Sequence, residues 1–167
     1  MKERTLETKI KECSPEELSA DDRELVEAAK EMTRTSYVPY SKFHVGAAIR
    51  MADGSIVKGS NQENAAYPSG TCAERTACFY ASASKPGMAM KKIAIAAWTR
   101  LRMPDEAPYE SCFQAEPISP CGACRQVMAE LMRPDAPVIM ADGVSYRIMR
   151  VCELLPYAFD KEDLNGI

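Results

Sequence analysis

The chain of 167 residues lacks the long apolar stretches that would place it in a membrane or a secretory route. No apolar run approaches the roughly 20 residues that a membrane-spanning helix needs. The N-terminal stretch MKERTLETKIKEC also has no apolar core of the kind found in secretory signals. We therefore expect a cytoplasmic protein without a membrane anchor. Its 46% hydrophobic and 27% charged residues are typical of one globular domain.

Positive charge is not in excess, because 21 Lys and Arg residues stand against 24 Asp and Glu residues. A protein that binds phosphate backbones usually has a basic surface, so this balance disfavours nucleic acid as a partner. The sequence has no glycine-rich phosphate loop, and His44 is its only histidine. No Ser-His-Asp set is recognisable, and packing is the expected role of His44.

Cysteine, by contrast, is well represented, with seven residues in a chain that does not resemble a small disulfide-stapled domain. Metal ligation or reactive thiols explain this odd number better than disulfides do. Cys121 and Cys124 lie three residues apart at the predicted start of a helix, and Cys72 lies at the predicted start of another. The positive end of a helix favours the thiolates that zinc requires, so these three residues are the predicted zinc ligands.

Glu74 follows Cys72 by two positions, which lets its side chain reach a zinc-bound water without being a ligand. Three protein ligands leave one position of a tetrahedral zinc open, as in catalytic sites, and a carboxylate can accept and deliver the water's proton. Three thiolates and a hydroxide exceed the charge of Zn²⁺, and Arg75 is the predicted compensating cation. These residue types favour a hydrolase.

Simpler explanations stay open at this point. A Cys-x-x-Cys pair can occur by chance or as a redox pair, and Arg75 can be an ordinary surface cation. A closed four-cysteine structural site would need a fourth thiolate from Cys78, Cys112 or Cys152. We expect those three residues and Cys13 to be buried as small hydrophobic side chains instead.

Sequence patterns predict a mixture of helices and strands. A helix begins after Ser19 and continues to about Thr35, and the pair Asp53 and Gly54 predicts the turn of an antiparallel hairpin. Further helices are predicted in TCAERTACFYASA, CGACRQVMAELM and VCELLPYAF, and further strands in KKIAIAAW, PVIMAD and SYRIMR. Residues 99–120 read as a long loop, and the first dozen residues as an extra strand or a loose arm. Such a mixture favours a sheet covered on both faces.

Four blocks of the sequence carry a resemblance to one enzyme family. They are PYSKFHVGAA (39–48), NQENAAYPSGTCAERTA (61–77), SPCGACRQVM (119–128) and LLPYAF (154–159). In this order they resemble the cytidine deaminases of the small, homotetrameric type with a three-cysteine zinc site, including the Glu that is not a ligand. The blocks span most of the chain from about Tyr37 onward.

The resemblance implies an α/β protein, a three-layer α/β/α sandwich around a five-stranded mixed sheet. A catalytic domain of residues 19–167 would follow an N-terminal extension of residues 1–18. One Zn²⁺ per subunit would be held by Cys72, Cys121 and Cys124, with Glu74 as the proton shuttle. The implied reaction is the hydrolysis of cytidine and deoxycytidine to uridine and deoxyuridine with release of ammonia, in pyrimidine salvage.

The resemblance also implies a set of substrate-binding residues. Asn61 and Glu63 would hold the ribose hydroxyls, and Phe43 would pack against the nucleoside. The amide of Ala73 would contact the pyrimidine, and Phe159 would reach the base bound by a neighbouring subunit of a homotetramer. A carboxylate at Glu63 repels a phosphate, so the implied substrate is a free nucleoside rather than a nucleotide.

Two departures from the family pattern leave alternatives open. Residues 99–116 are more numerous than the connection usual in this family and lead into the zinc-binding helix, and the N-terminal residues extend beyond the usual start. A deaminase of another aminopyrimidine, such as blasticidin S, would share the zinc motifs, although NQENAAY favours ordinary nucleosides. A polynucleotide deaminase is disfavoured by the acidic balance. A non-catalytic zinc-stabilised module would leave Glu74 unexplained.

Overall fold

The computed structural model describes residues 1–99, 108–113 and 116–165. Much of the predicted long loop, residues 100–107 and 114–115, therefore lies outside the described residues. None of the helices in the described ranges has the length and apolar character needed to cross a bilayer.

Six strands of the described chain form one sheet, in the order β1-β6-β5-β4-β2-β3. Their bounds are β1 Lys11–Cys13, β2 Phe43–Met51, β3 Ile56–Ser60, β4 Met90–Thr99, β5 Pro137–Ala141 and β6 Tyr146–Arg150. The pair β4 and β5 is parallel, and the other neighbouring pairs are antiparallel. The predicted mixed sheet is confirmed, with six strands rather than five because β1 adds to β6 at one edge.

The N-terminal residues, predicted as an extra strand or a loose arm, contribute one short edge strand. Residues 1–10 form no helix or strand, and only Lys11–Cys13 pairs with β6. A strand this short is fixed by its partner more than by its own pattern, since edge pairing supplies its only ladder of hydrogen bonds. The boundary between an extension of residues 1–18 and a domain of residues 19–167 stays a prediction.

Helices cover both faces of the sheet, which confirms the three-layer sandwich. They are α1 Ala20–Met32, α2 Ala73–Ser84, α3 Gly122–Leu131, α4 Val151–Leu154 and α5 Lys161–Asn165. On one face, Leu25, Val26 and Ala29 of α1 pack against β2, β4 and β5. On the other face, Ala77 of α2 and Met128 of α3 belong to the larger core cluster. The two helices that begin with cysteines therefore lie side by side in one layer.

Local signals set the ends of several elements as predicted. Ser19 caps α1, since its Oγ accepts a hydrogen bond from the amide of Asp22 at 3.1 Å. One 3₁₀ turn extends this helix from Thr33 to Thr35. The hairpin of β2 and β3 turns at Gly54, whose φ of +84° lies in the left-handed region that glycine adopts at little cost.

Two glycines let helices approach the β2-β3 hairpin from opposite faces. A Cβ built on Gly46 would lie 2.0 Å from the carbonyl oxygen of Ala29 in α1. A Cβ built on Gly59 would lie 2.5 Å from the amide nitrogen of Ala77 in α2. Neither position has room for a side chain, so Gly59 in particular sets how closely α2 and its N-terminal cysteine sit against the sheet.

The described turn of the long loop, residues 108–113, docks on the α1 face of the sheet. Tyr109 makes a 2.6 Å hydrogen bond with Thr33 and lies edge-on to Trp98 at 5.7 Å between ring centroids. Trp98 also donates its indole N–H to Thr33 at 2.7 Å, and His44 stacks on it at 4.0 Å. His44 thus has the packing role that the sequence predicted.

Candidate metal centre and active site

Three thiols come together where α2 and α3 begin. Cys72 precedes the first residue of α2, Cys121 precedes the first residue of α3, and Cys124 lies in the first turn of α3. Their Sγ atoms all lie within 4.8 Å of one another, with 3.8 Å between Cys72 and Cys121 and 3.4 Å between Cys121 and Cys124. Zn–S bonds of about 2.3 Å in a tetrahedron put sulfur atoms about 3.8 Å apart, so the thiols fit a zinc ion.

No fourth protein ligand joins this group among the described residues. Cys78 and Cys112 are buried elsewhere, as the sequence predicted, and Cys13 is half-buried. The prediction for Cys152 was wrong, because this residue is exposed on the short helix α4. Three thiols in a cleft are the donor set of an open zinc site, and the closed four-cysteine alternative finds no support in the described part of the chain.

The surroundings of Cys72 favour its thiolate form. Hydrogen bonding with Cys124 and Arg75 lowers the pKa of the Cys72 thiol to about 5. Arg75 directs Nη2 to the Cys72 sulfur at 3.9 Å and to the carbonyl of Gly70 at 3.4 Å. Its Nε is buried and has no hydrogen-bond partner among the described residues. Arg75 therefore lies where a cation can offset the negative charge of the thiolates.

Glu74 lies in the first turn of α2 and is only 4% exposed. Burial raises the pKa of its carboxyl group, since the charged form loses hydration there. The side chain nevertheless borders the same cleft as Cys72 and Cys121. A buried carboxyl group that faces a ligand cleft suits the transfer of protons to and from a bound molecule.

The cleft has a volume of about 640 Å³ and contains most of the predicted site residues. Phe43, Asn61 and Glu63 line it together with Cys72, Cys121 and Arg75, and Cys124 is buried behind them. Ala73 is buried as the first residue of α2, where backbone N–H groups lack intrahelical partners. Phe159 lies instead beside a groove at the C-terminal segment and is 59% exposed. The structure thus brings together all predicted site residues except Phe159.

Backbone contacts fix the orientations of Glu63 and Asn61. Glu63 Oε2 accepts hydrogen bonds from the amides of Tyr40 at 3.0 Å and Ser41 at 3.2 Å. The side-chain amide of Asn61 bridges β2, accepting from the amide of Val45 at 2.8 Å and donating to the carbonyl of Phe43 at 2.9 Å. Each side chain keeps hydrogen-bonding capacity for a ligand, since Glu63 has a second oxygen and Asn61 a second N–H.

Sequence reasoning missed several residues that line the cleft. Tyr40 and Ser41 hold Glu63 through their amides, and Tyr67, Ile118 and Ser119 complete the walls. Tyr40 and Ser41 belong to the block PYSKF, and Ser119 belongs to SPCGAC, so their positions beside recognised motifs were the available signal. Tyr67 likewise belongs to NQENAAY, whereas Ile118 lies just outside the quoted blocks and carried no such signal.

Comparisons with known proteins agree with this geometry. The family described as "Cytidine and deoxycytidylate deaminase zinc-binding region" matches residues 19–140. The chain belongs to this deaminase family. It is 42% identical to a cytidine deaminase of Halalkalibacterium halodurans over 146 residues, which cover 87% of this chain and 98% of the relative. It is 40% identical to a cytidine deaminase of Sporosarcina psychrophila over 146 residues, with 87% of this chain and 96% of the relative covered.

Solved structures of the family have the same fold. A cytidine deaminase from Burkholderia pseudomallei superposes with a TM-score of 0.66 at 40% identity, covering 81% of this chain and 97% of that one. A cytidine deaminase from Mycobacterium tuberculosis superposes with a TM-score of 0.63 at 30% identity, covering 84% and 98%. Membership confirms the predicted zinc dependence and the hydrolase class, and Cys72, Cys121 and Cys124 form the group placed to bind the metal.

Proposed function

We propose that the protein hydrolyses cytidine and deoxycytidine to uridine and deoxyuridine with release of ammonia. One observation carries this proposal: a buried carboxyl group, Glu74, borders the same cleft as the three-thiol zinc site and the polar residues Asn61 and Glu63. The curated relatives that the chain matches over most of its length are cytidine deaminases.

The chemistry divides between the metal and the side chains. When bound by the three cysteines, zinc supplies Lewis-acid activation of a water molecule for attack at C4 of the cytosine ring. Glu74 protonates N3 of the ring and then delivers a second proton to the amine leaving C4. The water thereby supplies the new carbonyl oxygen. One of its two protons stays on N3, and the other leaves with the nitrogen as ammonia. Both protons reach Glu74 from the attacking water, and burial raises the pKa of its carboxyl group, which favours holding a proton between the two transfers.

Arg75 and the helix starts stabilise the negative charge that collects at this centre. Arg75 Nη2 lies 3.9 Å from the Cys72 sulfur, and the positive ends of α2 and α3 point at the thiolates. The amide of Ala73 is placed at the start of α2, where it can donate to the pyrimidine. These donors act without moving during the reaction, which is how a fixed polar site lowers a barrier.

The ribose end of the cleft selects a nucleoside. Glu63 and Asn61 offer a carboxylate oxygen and an N–H for the sugar hydroxyls, and Phe43 offers a face for apolar packing. A 5′-phosphate near Glu63 would meet a like charge, which disfavours nucleotides and polynucleotides. The proposed substrates are therefore free cytidine and deoxycytidine, and a cytoplasmic role in pyrimidine salvage follows from them.

We also propose a homotetramer in which Phe159 completes a neighbour's site. Phe159 is 59% exposed and lies beside a groove other than the catalytic cleft of its own subunit. Phe79 and Tyr80 on α2 are exposed as well, at 52% and 62%, and Phe79 lines a groove between α2 and α3. Exposed aromatic residues of this kind mark surfaces that partners cover, and a second copy of this chain is the proposed partner.

The deciding experiment measures ammonia release from cytidine, deoxycytidine, cytosine and CMP by the purified protein, with zinc quantified in the same sample. We expect turnover of the two nucleosides alone, at about one zinc per chain as a single mononuclear site requires. Turnover of CMP at a similar rate would contradict the role of Glu63. Zinc without turnover of any of the four compounds would contradict the proposed substrate class.

A further inference from the structure

The segment that leads into the zinc-binding helix α3 has little regular structure to hold it. Residues 116–120 form no helix or strand, and between described residues their backbone makes no hydrogen bond to another backbone group. Pro117 and Pro120 are buried, but apolar packing alone sets position loosely. Cys121 directly follows this segment and is the exposed member of the three thiols, whose sulfur must sit within about 0.2 Å of its ideal metal distance.

The side chain of Arg125 supplies the missing hydrogen bonds. From the first turn of α3 its guanidinium turns back over the helix start. Nε donates to the carbonyl of Pro120 at 2.8 Å, Nη2 donates to Oγ of Ser119 at 2.6 Å, and Nη1 donates to the carbonyl of Leu154 at 2.9 Å. The first two acceptors directly precede Cys121, and the third lies at the end of α4. The planar guanidinium has five N–H donors and reaches all three acceptors at once. The single ammonium group of a Lys cannot make all three hydrogen bonds.

We propose that Arg125 is a positioning residue that holds Cys121 in register with Cys72 and Cys124. It does so by tying residues 119–120 to the C-terminal end of α4, so the ligand loop, α3 and α4 move as one unit. Two of its three acceptors are backbone carbonyls, and the tie therefore acts on the path of the chain rather than on one side chain. The effect of this positioning on the deamination rate rests on the proposed function, but its effect on zinc retention does not.

The same segment offers a matched control at its other end. Glu116 accepts a hydrogen bond from Arg147 at 2.6 Å, and its side chain is 75% exposed. An exposed ion pair of this kind contributes little to stability. Glu116→Gln therefore takes the charge from a polar anchor of the segment without touching the two residues before Cys121.

The test follows zinc release from the zinc-loaded full-length protein into an excess of a colorimetric chelator, without substrate. For Arg125→Gln we expect release to be about 10–100 times faster than for the wild type, the range found when groups that orient metal ligands are removed. Arg125→Lys should fall between the two, because an ammonium can restore one or two of the three bonds. Glu116→Gln should match the wild type.

A second measurement separates positioning from a general loss of stability. Gly46→Ala forces a clash with α1, on the sheet face opposite the zinc site, and so gives a destabilised variant with an intact ligand loop. Cobalt-substituted Arg125→Gln should show altered visible ligand-field bands, whereas cobalt-substituted Gly46→Ala should keep those of the wild type.

Two results would overturn the proposal. One is zinc release from Arg125→Gln at the wild-type rate. The other is equal acceleration in Gly46→Ala and Arg125→Gln with the same cobalt spectrum in both, which would mean that Arg125 acts only through overall stability. If the wild type deaminates no nucleoside while these metal readouts behave as expected, the proposed substrate is wrong and the role of Arg125 stands.

Discussion

Glu74 is the residue whose role can be isolated most cleanly from that of the metal. It borders the cleft without belonging to the thiol group, so its replacement leaves the zinc ligands in place. We expect Glu74→Gln, which keeps the shape of the side chain, to retain about one zinc per chain and to lower the rate of ammonia release by about 10²–10⁴-fold, the usual contribution of a general acid and base. Paired assays of metal content and ammonia release from cytidine measure both effects.

A stability measurement serves as the control for this variant. The buried carboxyl group is replaced by an amide of nearly the same volume, so the urea midpoint of Glu74→Gln should stay close to that of the wild type. Retained turnover together with a changed midpoint would assign Glu74 a structural role, and another group would then have to transfer the protons.

At the residue scale, the sequence predicted side chains that are recognisable by their spacing in a motif. It did not predict side chains whose role depends on hydrogen bonds to backbone groups. Cys121, Cys124 and Cys72 were predicted because thiols at helix starts have few other uses at that spacing. The brace that Asn61 forms across β2 depends on which carbonyls and amides the fold brings beside it. The role of Arg125 was missed for the same reason, since its carbonyl acceptors belong to the preceding loop and to the end of α4.

At the scale of elements, the distance between α2 and the sheet is the feature that positions the zinc site. Gly59 allows this distance, because a Cβ there would lie 2.5 Å from the amide nitrogen of Ala77. We expect Gly59→Ala to lower the free energy of unfolding by about 1–3 kcal/mol through overpacking and to push α2, with Cys72, away from β3. Urea unfolding measures the first effect, and zinc release to a chelator measures the second.

Gly46→Ala is the matched comparison for this prediction, since the same substitution clashes with α1 on the opposite face. Both variants should lose stability, but only Gly59→Ala should release zinc faster. Equal zinc release from the two variants would mean that the separation of α2 from β3 does not set the geometry of the metal site.

Elements with strong local signals were predicted well, and elements fixed by their neighbours were not. The capped helix α1 and the hairpin with Gly54 follow from residues within a few positions of each other. The first dozen residues were left as an extra strand or a loose arm, and pairing with β6 decides that only Lys11–Cys13 forms a strand. Cys152 was expected to be buried, but it is the one exposed residue of α4, whose other three residues are buried.

At the scale of the whole molecule, the cleft of one chain is lined by Phe43, Asn61 and Glu63 but not by Phe159. Phe159 is held away from that cleft by its own segment, where its carbonyl accepts a hydrogen bond from Gln126 at 2.8 Å. The resemblance in LLPYAF implies that Phe159 reaches a neighbouring subunit, and this contact stays a prediction. No pattern within one chain could show which surface of the partner receives it.

Mixing two inactive variants tests whether sites are shared between subunits. Glu74→Gln keeps Phe159 but lacks the proton shuttle, and Phe159→Ala keeps the shuttle but lacks the contact that it would give a neighbour. If each site takes Glu74 from one subunit and Phe159 from another, random mixed oligomers should contain about one quarter intact sites, as expected for a closed symmetric assembly. Ammonia release from cytidine should therefore rise after the variants are dissociated, mixed and reassembled.

The mass of the assembly and the unmixed variants are the controls for this experiment. Light scattering should give about four times the chain mass of 18.4 kDa for the wild type and for the mixture. Each variant taken alone through the same dissociation and reassembly should stay at its low starting rate. Mixed oligomers with no gain in rate would place Phe159 outside the neighbour's site, because subunit exchange alone would then fail to rebuild a complete cleft.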